Sequence, residues 1–251
     1  MSAESAAAQA KPENGNGLFL TTRWSVVRAA GAAGGDDAGE ALAWLCERYW
    51  FPLYAYVRGK GQPPAEAEDL VQGFFARVLE RDMFSRADAE RGTFRTFLLG
   101  CLNHYLTDEY RRTRAAKRGA GLHMVSLHDD DAEDWLQRDI AAGRTPEQDY
   151  DRAWALALLD RVIERLRREC EADGKAGRFA VLRPFLDGDR GELPLATAAE
   201  QLGQSVAAVK STVHRLRARM RELIREEIRQ TVQTEQEVDA ELRAIFAALI
   251  A

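Results

Sequence analysis

Three groups of side chains hold the chemical possibilities of this sequence. Glu66, Glu68 and Asp69 fall within one helical turn, and neighbouring carboxylates can work as general acid and base. No histidine or nucleophile stands at a useful spacing from them, so capping of a helix or a docking face is the better reading, and no catalytic residue is identified. The second group is the run Tyr110-Arg111-Arg112-Thr113-Arg114 with Lys117 and Arg118, which holds five cations and no acid and suits a phosphate backbone. The third is Lys210, Ser211, His214, Arg215 and Arg217, opposite the apolar stripe Val206, Val209, Val213, Leu216 and Met220. A helix with one basic face and one buried face can enter the major groove of DNA. The acidic cluster Asp129–Asp134, near His123 and His128, lacks ligand spacing on a rigid element. No metal and no cofactor are therefore expected.

These residues need elements to hold them, and the apolar pattern is helical almost throughout. Leu42, Leu45, Cys46, Tyr49, Leu53 and Val57 recur at steps of three and four, with Pro52 a potential kink. Ala67, Leu70, Val71, Phe74, Phe75 and Val78 mark a second helix. Phe94, Phe97, Leu98, Cys101, Leu102 and Tyr105 mark a third that runs into the basic stretch; its aromatics read as core, and Tyr110 as a stacking candidate. A short helix capped by Thr21 or Thr22 is expected ahead of a break at Gly31–Gly39. Trp154, Leu158, Val162 and Leu166 make a further helix, Phe179–Leu186 a shorter one, and Val238, Leu242, Ile245 and Leu249 a last amphipathic one. Ala198, Ala199 and Leu202, then Gly203-Gln204-Ser205, then the Val206 stripe, read as helix, turn and helix. Gly203 can take the left-handed conformation that the turn needs, and Ser205 can cap the second helix.

Composition removes several classes. The 251 residues are 46% hydrophobic and 30% charged with a formal net charge of −5, ordinary for a globular protein of one or two domains. Three scattered cysteines without a CxxC pair argue against a disulfide scaffold or zinc ribbon and suit a reducing cytosol. No apolar run is long enough to span a bilayer, so no membrane partner is expected. The expected architecture is all-α: a disordered tail (1–17), a first helical domain (18–118), a flexible acidic linker (119–146), a helix-turn-helix domain (147–230) and a C-terminal amphipathic helix (231–251).

Three segments in this order resemble the extracytoplasmic-function group of RNA polymerase sigma factors of the sigma-70 family. Ala67-Glu68-Asp69-Leu70-Val71-Gln72, followed by Phe75, resembles the helix of region two that docks on the polymerase β′ clamp. The resemblance implies core-polymerase contacts at Glu68, Asp69, Leu70 and Gln72. Phe94-Arg95-Thr96-Phe97-Leu98, through Asp108 to Arg111-Arg112, resembles the helix that melts and reads the minus-ten element. It implies DNA contacts at Arg95, Asn103, His104, Tyr110, Arg111, Arg112 and Arg114. Ala199-Glu200-Gln201-Leu202-Gly203 with Val209-Lys210-Ser211 and His214-Arg215 resembles region four. It implies minus-thirty-five contacts at Ser205, Lys210, Ser211, His214, Arg215 and Arg217. The resemblance further implies a cytoplasmic, non-enzymatic initiation factor whose partners are core RNA polymerase (β′ clamp and β flap), promoter DNA and an anti-sigma factor or other regulator. The rival is a stand-alone helix-turn-helix regulator whose first unit binds a ligand or dimerises. Such a regulator needs no Asp69–Gln72 helix beside a Phe94–Arg112 helix.

Overall fold

A computed structural model describes residues 36–80, 93–116, 143–186, 195–232 and 234–250. Among them the regular structure is helical and there is no strand. The tail, the Thr21/Thr22 helix, the loop Asp82–Gly92 and the acidic cluster Asp129–Asp134 lie outside the described residues.

The first helix, α1 (Asp36–Gly59), begins inside the glycine-rich stretch expected to break the chain and continues through Pro52. Leu45, Tyr49, Leu53 and Val57 of its expected stripe are buried, but Pro52, Tyr54, Ala55 and Tyr56 are buried as well. A helix apolar on all sides needs neighbours on all sides. The first two are α2 (Pro64–Glu80), which starts on a proline pre-set for a first helical turn, and α3 (Phe94–Ala116). A Cβ at Gly73 of α2 would overlap the hydroxyl of Tyr105 on α3, so the absence of a side chain there sets how closely the two helices approach. Tyr105 also packs its ring on Phe74 and under the Arg77 guanidinium.

The third neighbour is α4 (Pro146–Ala172), which lies along α1. Thr145 caps it in a reciprocal box with Gln148. Its Trp154, Leu158, Val162 and Leu166 are buried in the same cluster as the cores of α1, α2 and α3. The sequence places α4 at the head of a second unit; in the fold its stripe covers apolar surface of α1 that α2 and α3 leave open. The ends are pinned by polar contacts. The Tyr56 hydroxyl of α1 lies 3.3 Å from Glu147 Oε1, and Arg144 pairs with Asp149 at 3.0 Å with both side chains buried.

Next come α5 (Ala176–Leu182), a single 3-10 turn (Arg183–Phe185), α6 (Leu195–Leu202), α7 (Val206–Arg229) and α8 (Glu235–Ile250). Leu182, Phe185, Ala198, Ala199, Val209 and Val213 form a small second cluster under α6 and the first half of α7. The second half of α7, through Leu223, Ile224 and Ile228, belongs to the main core, as do Val238 and Ile245 of α8. One continuous helix therefore joins both clusters. No described helix is long and apolar enough to cross a membrane.

Candidate nucleic-acid interface

The end of α1, the start of α2 and the second half of α3 enclose a groove of about 980 Å³. Its walls include Lys60, Gln62, Glu66, Asp69, Leu70, Asn103, Thr107 and Tyr110. Asp69 and Leu70, expected to dock a partner, thus share one depression with Asn103 and Tyr110, expected to meet DNA. Among the described residues Asp69 Oδ1 is buried without a hydrogen-bond partner, a cost that a donor arriving from outside would relieve. Asn103 Oδ1 accepts from the Tyr56 hydroxyl at 2.8 Å, which fixes the amide. Lys60 lies over the Tyr56 ring, 4.8 Å from its centroid. Gln72 is half-buried on the same helix as Asp69.

Glu68 departs from its expected place. It is 2% exposed, on the side of α2 turned inward with Ala67 and Val71, and so adds nothing to an exposed docking face. The far end of α3 is open. Tyr110 is 63% exposed, and His104, Arg111, Arg112 and Thr113 are exposed beside it. Arg112 makes only a surface pair with Glu109 at 3.3 Å. The side chain of Arg114 lies outside the described residues. Of the aromatics read as core, Phe94 and Tyr105 are buried and Phe97 is half-buried.

Arg95 is also not where a DNA contact would need it. Its Nε donates to both carboxylate oxygens of Glu241 at 3.2 and 3.1 Å, and its Nη1 pairs closely with Asp151. Its guanidinium lies 5.0 Å from the Trp154 ring centroid, and its backbone carbonyl accepts from the Tyr150 hydroxyl. Burial opposes the charge on Arg95, but the carboxylates of Glu241 and Asp151 outweigh it and hold the guanidinium above its ordinary value. Elements distant in sequence, α4 and α8, have taken this side chain.

The helix-turn-helix forms as its spacing predicts. Gly203 has φ +61°, the left-handed turn, and Ser205 caps α7 by accepting from Ala208 N at 3.3 Å. Lys210, Ser211, His214 and Arg215 are exposed along one face. Val206, expected in the buried stripe, is 46% exposed because it stands at the first helical position, beyond the reach of α6. Arg217 is a brace: its Nε and Nη2 both donate to the carbonyl of Phe185, at 3.0 and 2.6 Å. It fastens the 3-10 turn to α7 while the residue as a whole stays exposed.

Thiol and metal chemistry find no footing among the described residues. Burial pushes the Cys46 and Cys101 thiols up to about 11, away from thiolate reactivity, and no group of His, Cys, Asp and Glu has the makings of a metal site. The residues that sequence reasoning missed are Lys60 and Gln62, which face the groove from the turn after α1, and Glu241 and Asp151, which hold Arg95. Glu241 had one visible signal. It lies three residues from Val238 and four from Ile245, so it is a charge set on an apolar stripe.

Residues 45–116 match the family model described as Sigma-70 region 2, a span that includes nearly all of α1 to α3 past Leu45 and the groove between them. No curated protein and no solved structure matches the chain.

Proposed function

We propose that the chain, residues 45–116 of which match the model described as Sigma-70 region 2, is an RNA polymerase sigma factor of the sigma-70 family that acts in transcription initiation, docking core polymerase through α2, capturing the opened minus-ten strand with α3 and reading the duplex minus-thirty-five element with α7. The observation that carries this reading is the shared groove, where Asp69 of the docking helix and Asn103 and Tyr110 of the strand-binding helix line one depression. Docking then falls to Asp69, Leu70 and Gln72. Strand capture falls to Tyr110, whose exposed ring can stack on an unpaired base, and to His104, Arg111 and Arg112, which offer donors and charge. Duplex reading falls to Lys210, Ser211, His214 and Arg215. Arginine and lysine there suit guanine edges and phosphates.

The extracytoplasmic-function subtype, work in the cytoplasm, contact with the β flap and control by an anti-sigma factor or other regulator belong to the same reading. The chain carries no chemistry of its own here; the polymerase makes the RNA. The test is reconstitution. The purified chain is added to core polymerase free of other sigma factors, and promoter-dependent run-off transcription is measured. Asp69→Arg with Gln72→Ala abolishes co-purification with core while circular dichroism stays helical. Normal core binding by the folded double variant overturns the docking face, and tight duplex binding without polymerase favours a stand-alone regulator instead.

A further inference from the structure

The two ends of α3 are in opposite states. Tyr110, Arg111 and Arg112 stand open, while Arg95, on the first turn, is enclosed by α4 and α8. Glu241 is 4% exposed, a carboxylate set between the buried Val238 and Ile245 on the apolar face of α8. A buried carboxylate is tolerated only when paired, and here both of its oxygens meet one guanidinium nitrogen. Asp151 supplies a second anion to the same group. Two close oxygens sharing one negative charge are what a backbone phosphodiester offers an arginine, and Glu241 presents the same pair, with Asp151 as a further anion.

We propose that α8 is an intramolecular latch. Glu241, with Asp151, occupies Arg95 in place of a strand phosphate and closes this part of the α3 track until nucleic acid displaces the helix. This rests on the reading of α3 as the strand-binding helix. The fastening of α8 suits release. Its fully buried apolar anchors are Val238 and Ile245, while Phe246 and Ile250 are exposed. Leu242, Ala248 and Leu249 pack half-buried beside those anchors, and the polar ties of α8 include the surface pairs Arg225–Asp239 and Arg229–Glu235 and Arg152 donating to the carbonyls of Ala248 and Leu249. Surface pairs of this kind hold weakly, so opening of α8 is resisted mainly by its one apolar face and can occur locally, ahead of the rest of the core. While the latch is closed, the strand-competent fraction is small and the apparent affinity falls by that fraction.

The test uses the full-length chain with core polymerase and a fluorescent single-stranded oligodeoxynucleotide. Glu241→Gln keeps the shape of the side chain and removes its charge. It is expected to tighten oligonucleotide binding by about tenfold, and the gain is expected to vanish when Arg95→Ala is added. A merely structural ion pair instead gives a lower melting temperature and no gain. Hydrogen exchange on the unmodified chain reads the latch independently of any variant: saturating oligonucleotide lowers protection across Val238–Ile245. Equal affinity of a folded Glu241→Gln variant and the parent, or unchanged α8 protection on binding, overturns the latch. In that event binding that is still lost in Arg111→Ala with Arg112→Ala leaves the reading of α3 standing. An oligonucleotide bound by no form of the chain overturns both.

Discussion

The faces of α3 and α7 proposed to meet nucleic acid are built on opposite plans. On α7 the cap, the turn and the buried stripe are all local, and Lys210, Ser211, His214 and Arg215 reach solvent from one uninterrupted face. On α3 the face is finished by distant parts of the chain. Tyr56 of α1 fixes Asn103, and Asp151 and Glu241, 56 and 146 residues from Arg95, take its guanidinium. A run of basic residues on a helix therefore tells where a charged face lies. Whether that face is open depends on what packs against it.

The strongest way to break this contrast is at α4. Asp149→Ala breaks a buried ion pair with Arg144, and breaking a buried pair costs about 3–5 kcal/mol. Thermal unfolding followed by circular dichroism should show a large fall in melting temperature, and the α3 face should lose strand binding with it. An unchanged melting temperature would mean that the start of α4 is not held on α1 by this pair.

A smaller effect is expected at the contact that sets α3 on α2. Gly73→Ala forces a Cβ into the Tyr105 hydroxyl, and overpacking of this kind costs about 1–3 kcal/mol. Tyr105→Phe removes the obstructing oxygen and should restore most of the loss in the double variant, as read by urea unfolding. Failure of that rescue would place the strain elsewhere.

The finest test separates two neighbouring arginines on α7. Arg215→Ala should weaken duplex promoter binding by about 1–3 kcal/mol or reduce the logarithmic salt slope by about 0.9, according to whether it meets a base or a phosphate. It should leave the melting temperature and the capture of a pre-melted template unchanged. Arg217→Ala loses its two bonds to the Phe185 carbonyl and should lower stability by about 1 kcal/mol with little change in salt slope. Matching behaviour of the two variants would collapse the distinction between a reading residue and a brace.

What could be read from the sequence follows the same division. The stripes Leu45–Tyr49–Leu53, Val71–Phe74–Phe75–Val78 and Val209–Val213 appear in the structure as buried faces, because each is set by helical period alone. Gly203 and Ser205 are where turn and cap chemistry put them. The seating of α4 on α1 was not legible, since periodicity marks a buried face without naming what covers it. Arg95 and Arg217 look like Arg111 and Arg215 in sequence; only the carboxylates and the carbonyl opposite them make the difference. In the groove, Asp69 and Asn103 could be proposed singly, but their meeting with Lys60 and Gln62 depends on how the turn after α1 folds back.

The passage of α7 from one hydrophobic cluster into the other has a mechanical side. Its 24 residues make a rod of about 36 Å. The far half is seated in the main core by Leu223, Ile224 and Ile228, with Glu227 beside Arg48 at 3.5 Å and Arg161 at 3.8 Å. Such a rod is a lever with its fulcrum at that seat. A tilt of roughly ten degrees there sweeps the other end through about 6 Å. Curvature in a duplex gripped by Lys210 and Arg215 would arrive as torque on Glu227, inside the body that carries α1 and α4.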